Sequence, residues 1–92
     1  MDLGQARREI ELLDEELLRV LARRLSLMPE IAALKAASGL PLRQPERERE
    51  LFGKWAMVSE ELGLDRAFVE GLFRIVVAES LRLQKPAWKA KQ

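Results

Sequence analysis

LGQARREIELLDEELLRVLARRLSLMPEIAALKAAS, residues 3–38, reads as one long amphipathic helix. Steps of three and four connect Arg7, Ile10, Asp14, Leu17, Leu21, Arg24, Met28, Ile31 and Lys35 along one seam, and Leu13, Val20, Leu27 and Leu34 widen it. Gly39 suits the left-handed residue that ends a helix, and Pro41 prevents continuation. Pro29 falls inside the run, where a proline removes one backbone hydrogen bond and crowds the carbonyl of Leu25 at about 3 kcal/mol. The periodicity passes through it in phase, which predicts one helix kinked over residues 25–29; local propensity alone predicts two helices with a tight joint.

Working outward, Pro45 is a good first-turn residue and opens a second helix that runs to about Leu62, stopped by Gly63. Asp65 can cap a third helix ending near Gln84. The expected fold is therefore all-α, with three helices per chain in one domain over residues 1–85. Residues 86–92, which start at Pro86, are expected to form a frayed tail. A helix of ~35 residues is about 50 Å long, more than two shorter helices can cover. Its stripe would lie partly bare in a lone chain of 92 residues, so an intertwined homodimer is expected.

The composition narrows the function. Sixteen basic and 15 acidic residues leave a net charge of +1, too little for a global field that holds nucleic acid or an anionic membrane. No run of about 18 apolar residues spans a membrane, and Met1-Asp2-Leu3-Gly4 opens into a charged helical pattern with no signal-peptide character, so a cytoplasmic protein is expected. Cysteine, histidine and tyrosine are absent. That removes thiolate nucleophiles, zinc–thiolate sites and the commonest general acid–base groups, and no metal or cofactor is expected.

The informative residues are the polar ones on inward rows. Arg7, Arg24 and Lys35 interrupt the first seam. The second helix has Leu51, Trp55, Val58 and Leu62 inward, with Arg47 one turn before Leu51 and Glu48 one turn before Phe52. In the third, Val69, Phe73, Val76, Ser80 and Gln84 form one line that turns polar at its end. A single arginine on a stripe is ordinarily a snorkelling or ion-paired residue, and Ser80 or Gln84 alone says little. Together, four cations set against Glu48 and Asp14 call for an anion, preferably a dicarboxylate able to take bidentate arginine contacts.

The chain resembles the all-helical chorismate mutases (the AroQ class) from Arg7 to Gln84. The resemblance is carried by Arg7-x-x-Ile10-x-x-Leu13-Asp14-x-x-Leu17-Leu18, Ala22-x-Arg24, Glu30-Ile31-x-x-x-Lys35, Pro45-x-Arg47-Glu48, Gly63-Leu64-Asp65 and Glu79-Ser80-x-x-x-Gln84. It implies rearrangement of chorismate to prephenate, an intramolecular Claisen reaction that needs no nucleophile, base, metal or cofactor. It further implies that Arg24 and Lys35 bind substrate carboxylate, and that Arg7 reaches the site from the other chain. Arg47 and Ser80 would be further anion contacts, Glu48 would accept from the substrate hydroxyl, and Gln84 with Lys35 would meet the ether oxygen. The family usually has an acidic residue where this chain has Gln44, a position that supplies a backbone N–H to the hydroxyl; Pro29 is the other departure.

Two rival readings remain at this level. An isochorismate pyruvate lyase on the same scaffold is also cation-lined, but the Arg47-Glu48 pair with Gln84 resembles the mutase pattern. A non-catalytic helical dimer using Arg7-Arg8 and Arg23-Arg24 on nucleic acid would place adjacent arginines about 100° apart, one of each pair facing inward.

Overall fold

A computed structural model describes residues 1–92 as four helical segments: α1 Leu3–Ser26, α2 Met28–Ala37, α3 Pro45–Glu61 and α4 Arg66–Ala90. α1 and α2 are the two parts of the long helix expected from residues 3–38. The backbone stays right-handed helical at Leu27, between them, and the Ile31 amide donates to the Leu27 carbonyl at 3.0 Å. The break is one residue wide, and Pro29, in the first turn of α2, is its local cause: with no N–H it leaves the Leu25 carbonyl without its helical partner.

The ends of the helices are written in local chemistry. Asp2 and Gln5 form a reciprocal capping box at the start of α1, each side chain accepting from the other's amide at 2.8 Å. The Asp65 carboxylate accepts from the Phe68 amide at 2.9 Å and starts α4. At the other ends, Gly39 and Gly63 take left-handed φ of 69° and 71°. Each is followed by a residue whose amide reaches back five positions, Leu40 to the Lys35 carbonyl at 2.8 Å and Leu64 to the Ser59 carbonyl at 2.9 Å.

α4 is the hub, with α2 and α3 both packed on it and α1 touching it only in part. Its buried row is Val69, Phe73, Val76, Ser80 and Gln84, the line read from the sequence. Met28 and Ala32 of α2 and Ser59 of α3 complete the buried set, and Phe73 meets Phe52 and Trp55 of α3 at ring-centroid distances of 5.2 and 5.1 Å.

Two expectations change. α3 turns Trp55 and Ser59 inward, with Leu51 and Phe52 half-buried, whereas Val58 and Leu62 of the expected inward row are exposed. Burial of Ser59 is inexpensive because its hydroxyl donates to the Ala56 carbonyl at 3.0 Å. The third helix, expected to stop near Gln84, continues through Pro86 to Ala90. What holds this extension is tertiary: the Trp88 indole N–H donates to the Leu40 carbonyl at 3.0 Å, across the chain from α4 to the α2–α3 loop.

α1 is the exception to packing. None of its residues is buried, and Ile10, Leu13, Leu17 and Val20 stand more than half exposed.

Candidate functional site

A cavity of about 210 Å³ lies where the end of α1, α2, the α2–α3 loop, the start of α3 and the second half of α4 converge. Its polar wall is made by Arg24, Lys35, Gln44, Arg47, Glu48, Ser80 and Gln84. These are the site residues expected from the sequence, with one missing: Arg7 lies on the exposed part of α1, about 25 Å along the helix from Arg24. Met28, Ile31, Leu42, Val77 and Leu81 supply the apolar wall.

Each cation is held by a specific partner. Arg24 Nη1 donates to Ser80 Oγ at 2.7 Å, and the Ser80 hydroxyl in turn donates to the Val76 carbonyl one turn back, also at 2.7 Å. The serine hydroxyl thus acts as an acceptor that aims Arg24. Lys35 Nζ donates to the Leu42 carbonyl at 2.8 Å and to Gln84 Oε1 at 2.7 Å, which ties α2 to the loop and to α4 through one ammonium. Gln84 Nε2 points at Met28 Sδ, 3.4 Å away, a weak acceptor that a ligand oxygen can displace. Arg47 lines the cavity but turns outward far enough to pair with Glu50 at 3.0 Å.

Burial works against the charges placed here. Desolvation pushes the Arg24 guanidinium and the Lys35 ammonium below their ordinary pKa values; at Lys35 the negative charge of Glu48 partly opposes the shift. Glu48 is itself incompletely satisfied. Its Oε2 accepts from Arg43 Nη2 at 3.1 Å, while Oε1 is buried and has no hydrogen-bond partner. Three cations against one carboxylate, with neutral amides and a hydroxyl between them, have the charge and donors to receive a compact dianion that also carries a hydroxyl or amine donor.

The residues that sequence reasoning passed over are Arg43 and Trp88. Arg43 sits in a loop, where no helical period marks an inward position, and Trp88 lies beyond Pro86. The Leu42 carbonyl was equally invisible, since a backbone acceptor leaves no trace in residue type. No group of three or more His, Cys, Asp and Glu side chains comes together, and no helix is long and apolar enough to cross a membrane.

Comparison with known proteins shows the family. The profile of a family described as chorismate mutase type II matches residues 6–85. The bifunctional chorismate mutase/prephenate dehydratase of Aquifex aeolicus is 36% identical over 88 residues, covering 91% of this chain and 24% of that protein. The chorismate mutase of Methanocaldococcus jannaschii is 29% identical over 90% of this chain and 84% of its own length. The 4-amino-4-deoxychorismate mutase of Streptomyces venezuelae is 31% identical over 90% of this chain and 81% of its own. The chain thus spans about a quarter of the bifunctional relative but most of the two shorter ones.

Proposed function

Because the chain belongs to the chorismate mutase type II family, with an all-α fold, we propose that it is an isomerase that converts chorismate to prephenate in the cavity between α1, α2, α3 and α4. The observation that carries the proposal is the contact of Lys35 Nζ with Gln84 Oε1 at 2.7 Å, with Arg24 fixed on Ser80 one helical turn away along α4. An ammonium and an amide side by side present N–H donors to one oxygen and contain no group that must gain or lose a proton.

The reaction breaks the ether C–O bond of chorismate and forms a C–C bond within the same molecule, so no atom enters or leaves. Two effects are available to the protein. Arg24, Arg47 and Lys35 hold the two carboxylates so that the enolpyruvyl arm folds over the ring, which removes conformational freedom before the bonds change. Lys35 and Gln84 then face the ether oxygen, where negative charge grows as C–O cleavage runs ahead of C–C formation. An interaction with charge that exists only in the transition state raises kcat and not merely affinity. Glu48 Oε1, buried without a donor, accepts from the ring hydroxyl, and the backbone N–H of Gln44 at the start of α3 approaches the same group.

The proposal includes a homodimer in the cytoplasm. Arg7 cannot reach the cavity of its own chain along a straight α1, and the exposed apolar row Ile10, Leu13, Leu17 and Val20 needs a cover. An antiparallel second copy supplies both, burying the row and bringing its Arg7 to the site.

An assay on purified protein decides the reading: loss of chorismate with prephenate as the product supports it. Pyruvate and salicylate from isochorismate, without prephenate from chorismate, would replace it with a lyase. Since a relative is named for 4-amino-4-deoxychorismate and Glu48 can accept from hydroxyl or amine alike, the amino analogue belongs in the same assay as a competing substrate.

A further inference from the structure

Arg43 belongs to none of the helical rows, yet it makes the one ion pair that involves a carboxylate of the cavity. Its neighbours among the cations are otherwise engaged: Arg47 pairs with Glu50, and Arg74 with Glu70. Glu48 has two oxygens in different circumstances, Oε2 on Arg43 and Oε1 buried without a partner. A buried acceptor with no protein donor is unfavourable by itself and is satisfied by a donor from a ligand.

The alternative for Glu48 is close at hand. Its charge acts on Lys35, the ammonium in the same cavity, but the two form no ion pair; Lys35 donates to Leu42 and Gln84 instead. Direct pairing would satisfy Glu48 and at the same time withdraw both the acceptor and the ammonium from a ligand. The carboxylate's other oxygen, Oε2, is held by Arg43.

We propose that Arg43 is a positioning residue, which grips Glu48 by Oε2 so that Oε1 stays available to the substrate donor and Lys35 stays free of Glu48. The inference rests on the mutase reading of the cavity. Arg43 acts through Glu48 and need not touch the substrate. Its side chain is 66% exposed, and a pair with one exposed partner contributes little to folding, so its loss changes the site and leaves the fold.

The test is a double-mutant cycle on chorismate turnover with Arg43→Gln, Glu48→Gln and the pair, together with Arg43→Lys. Arg43→Gln is expected to lower kcat/KM by about tenfold with an unchanged helical content and oligomeric state, and Arg43→Lys to recover most of the loss. In the Glu48→Gln background the same change at Arg43 should cost less than about twofold, because nothing is left to position. Wild-type kinetics in Arg43→Gln would overturn the inference and leave the mutase reading intact. So would losses that multiply in the double variant, since they would assign Arg43 a role independent of Glu48. A wild-type protein that does not turn over chorismate overturns both.

Discussion

The proposed role of Lys35 requires a positive charge in a place that disfavours it, so activity and stability should show opposite pH trends. Its pKa is lowered from 10.5 by desolvation, with Glu48 opposing. Between the folded value and 10.5 the unfolded chain binds more protons than the folded one, so stability attributable to Lys35 rises with pH across that window. Below the window both states are protonated and the burial penalty is constant. Turnover should fall over the same range, as the ammonium donor is lost. Comparing wild type with Lys35→Met by denaturation and by kcat/KM between pH 7 and 10.5 checks this; parallel trends would refute it. At Gln84, substitution by Glu places a carboxylate beside that ammonium, and only its protonated form donates to an ether oxygen. Gln84→Glu should therefore shift the activity optimum to acidic pH, and a pH–rate profile as flat as wild type would exclude Gln84 from that role. Ser80→Ala removes the acceptor that aims Arg24, and a loss of about tenfold in kcat/KM is expected, the worth of one hydrogen bond to a charged group. These cavity residues were legible in the sequence because each interrupts an apolar row; the Ser80 hydroxyl's partner was not, since its proton goes to a backbone carbonyl.

Elements follow the same division between what periodicity carries and what tertiary contacts decide. α4 was readable because its buried row, Val69, Phe73, Val76, Ser80 and Gln84, keeps strict helical spacing and turns polar at its end, although Phe68, Leu72 and Ile75 beside it are apolar and exposed. α3 was less so: Leu51, Phe52, Trp55, Ala56, Met57 and Val58 spread apolar surface round more than half the helix, and the side that faces α4 cannot be chosen from hydrophobicity. The break at Leu27 follows from Pro29. Pro86 has the same local chemistry, yet α4 runs on, because the Trp88 contact with Leu40 rewards the last turn with a bond to another element. That bond also fixes one end of the α2–α3 loop, whose Leu42 carbonyl receives Lys35. Trp88→Phe keeps an aromatic side chain, smaller than indole, and removes the N–H. It should destabilise folding by about 1 kcal/mol in a denaturant titration and speed amide exchange in residues 39–44, whereas an effect confined to residues 86–92 would mean that the tail does not hold the loop.

The whole chain is extended, with most of its apolar surface outside the core. Its radius of gyration is 16.5 Å and its extents 56 × 23 × 15 Å, whereas a compact domain of this length has a radius near 12 Å. Only 8 of 92 residues are buried. Covering Ile10, Leu13, Leu17 and Val20 with a second copy would contribute about 1.5–3 kcal/mol for each side chain fully buried, enough to make folding and association one event. Leu17→Glu should accordingly give a monomer with reduced helicity by sedimentation and circular dichroism. A sharper experiment asks whether Arg7 reaches the cavity from a partner chain. Arg7→Ala and Lys35→Ala homodimers should each be nearly inactive for different reasons, one lacking the donor that crosses and the other the ammonium that stays. If Arg7 works in trans, a heterodimer of the two variants contains one site with both residues intact and one with neither. Refolding an equal mixture makes about half the dimers mixed, so about a quarter of wild-type activity should return. If Arg7 serves the cavity of its own chain, every site in the mixture lacks one residue, and no activity returns at any mixing ratio.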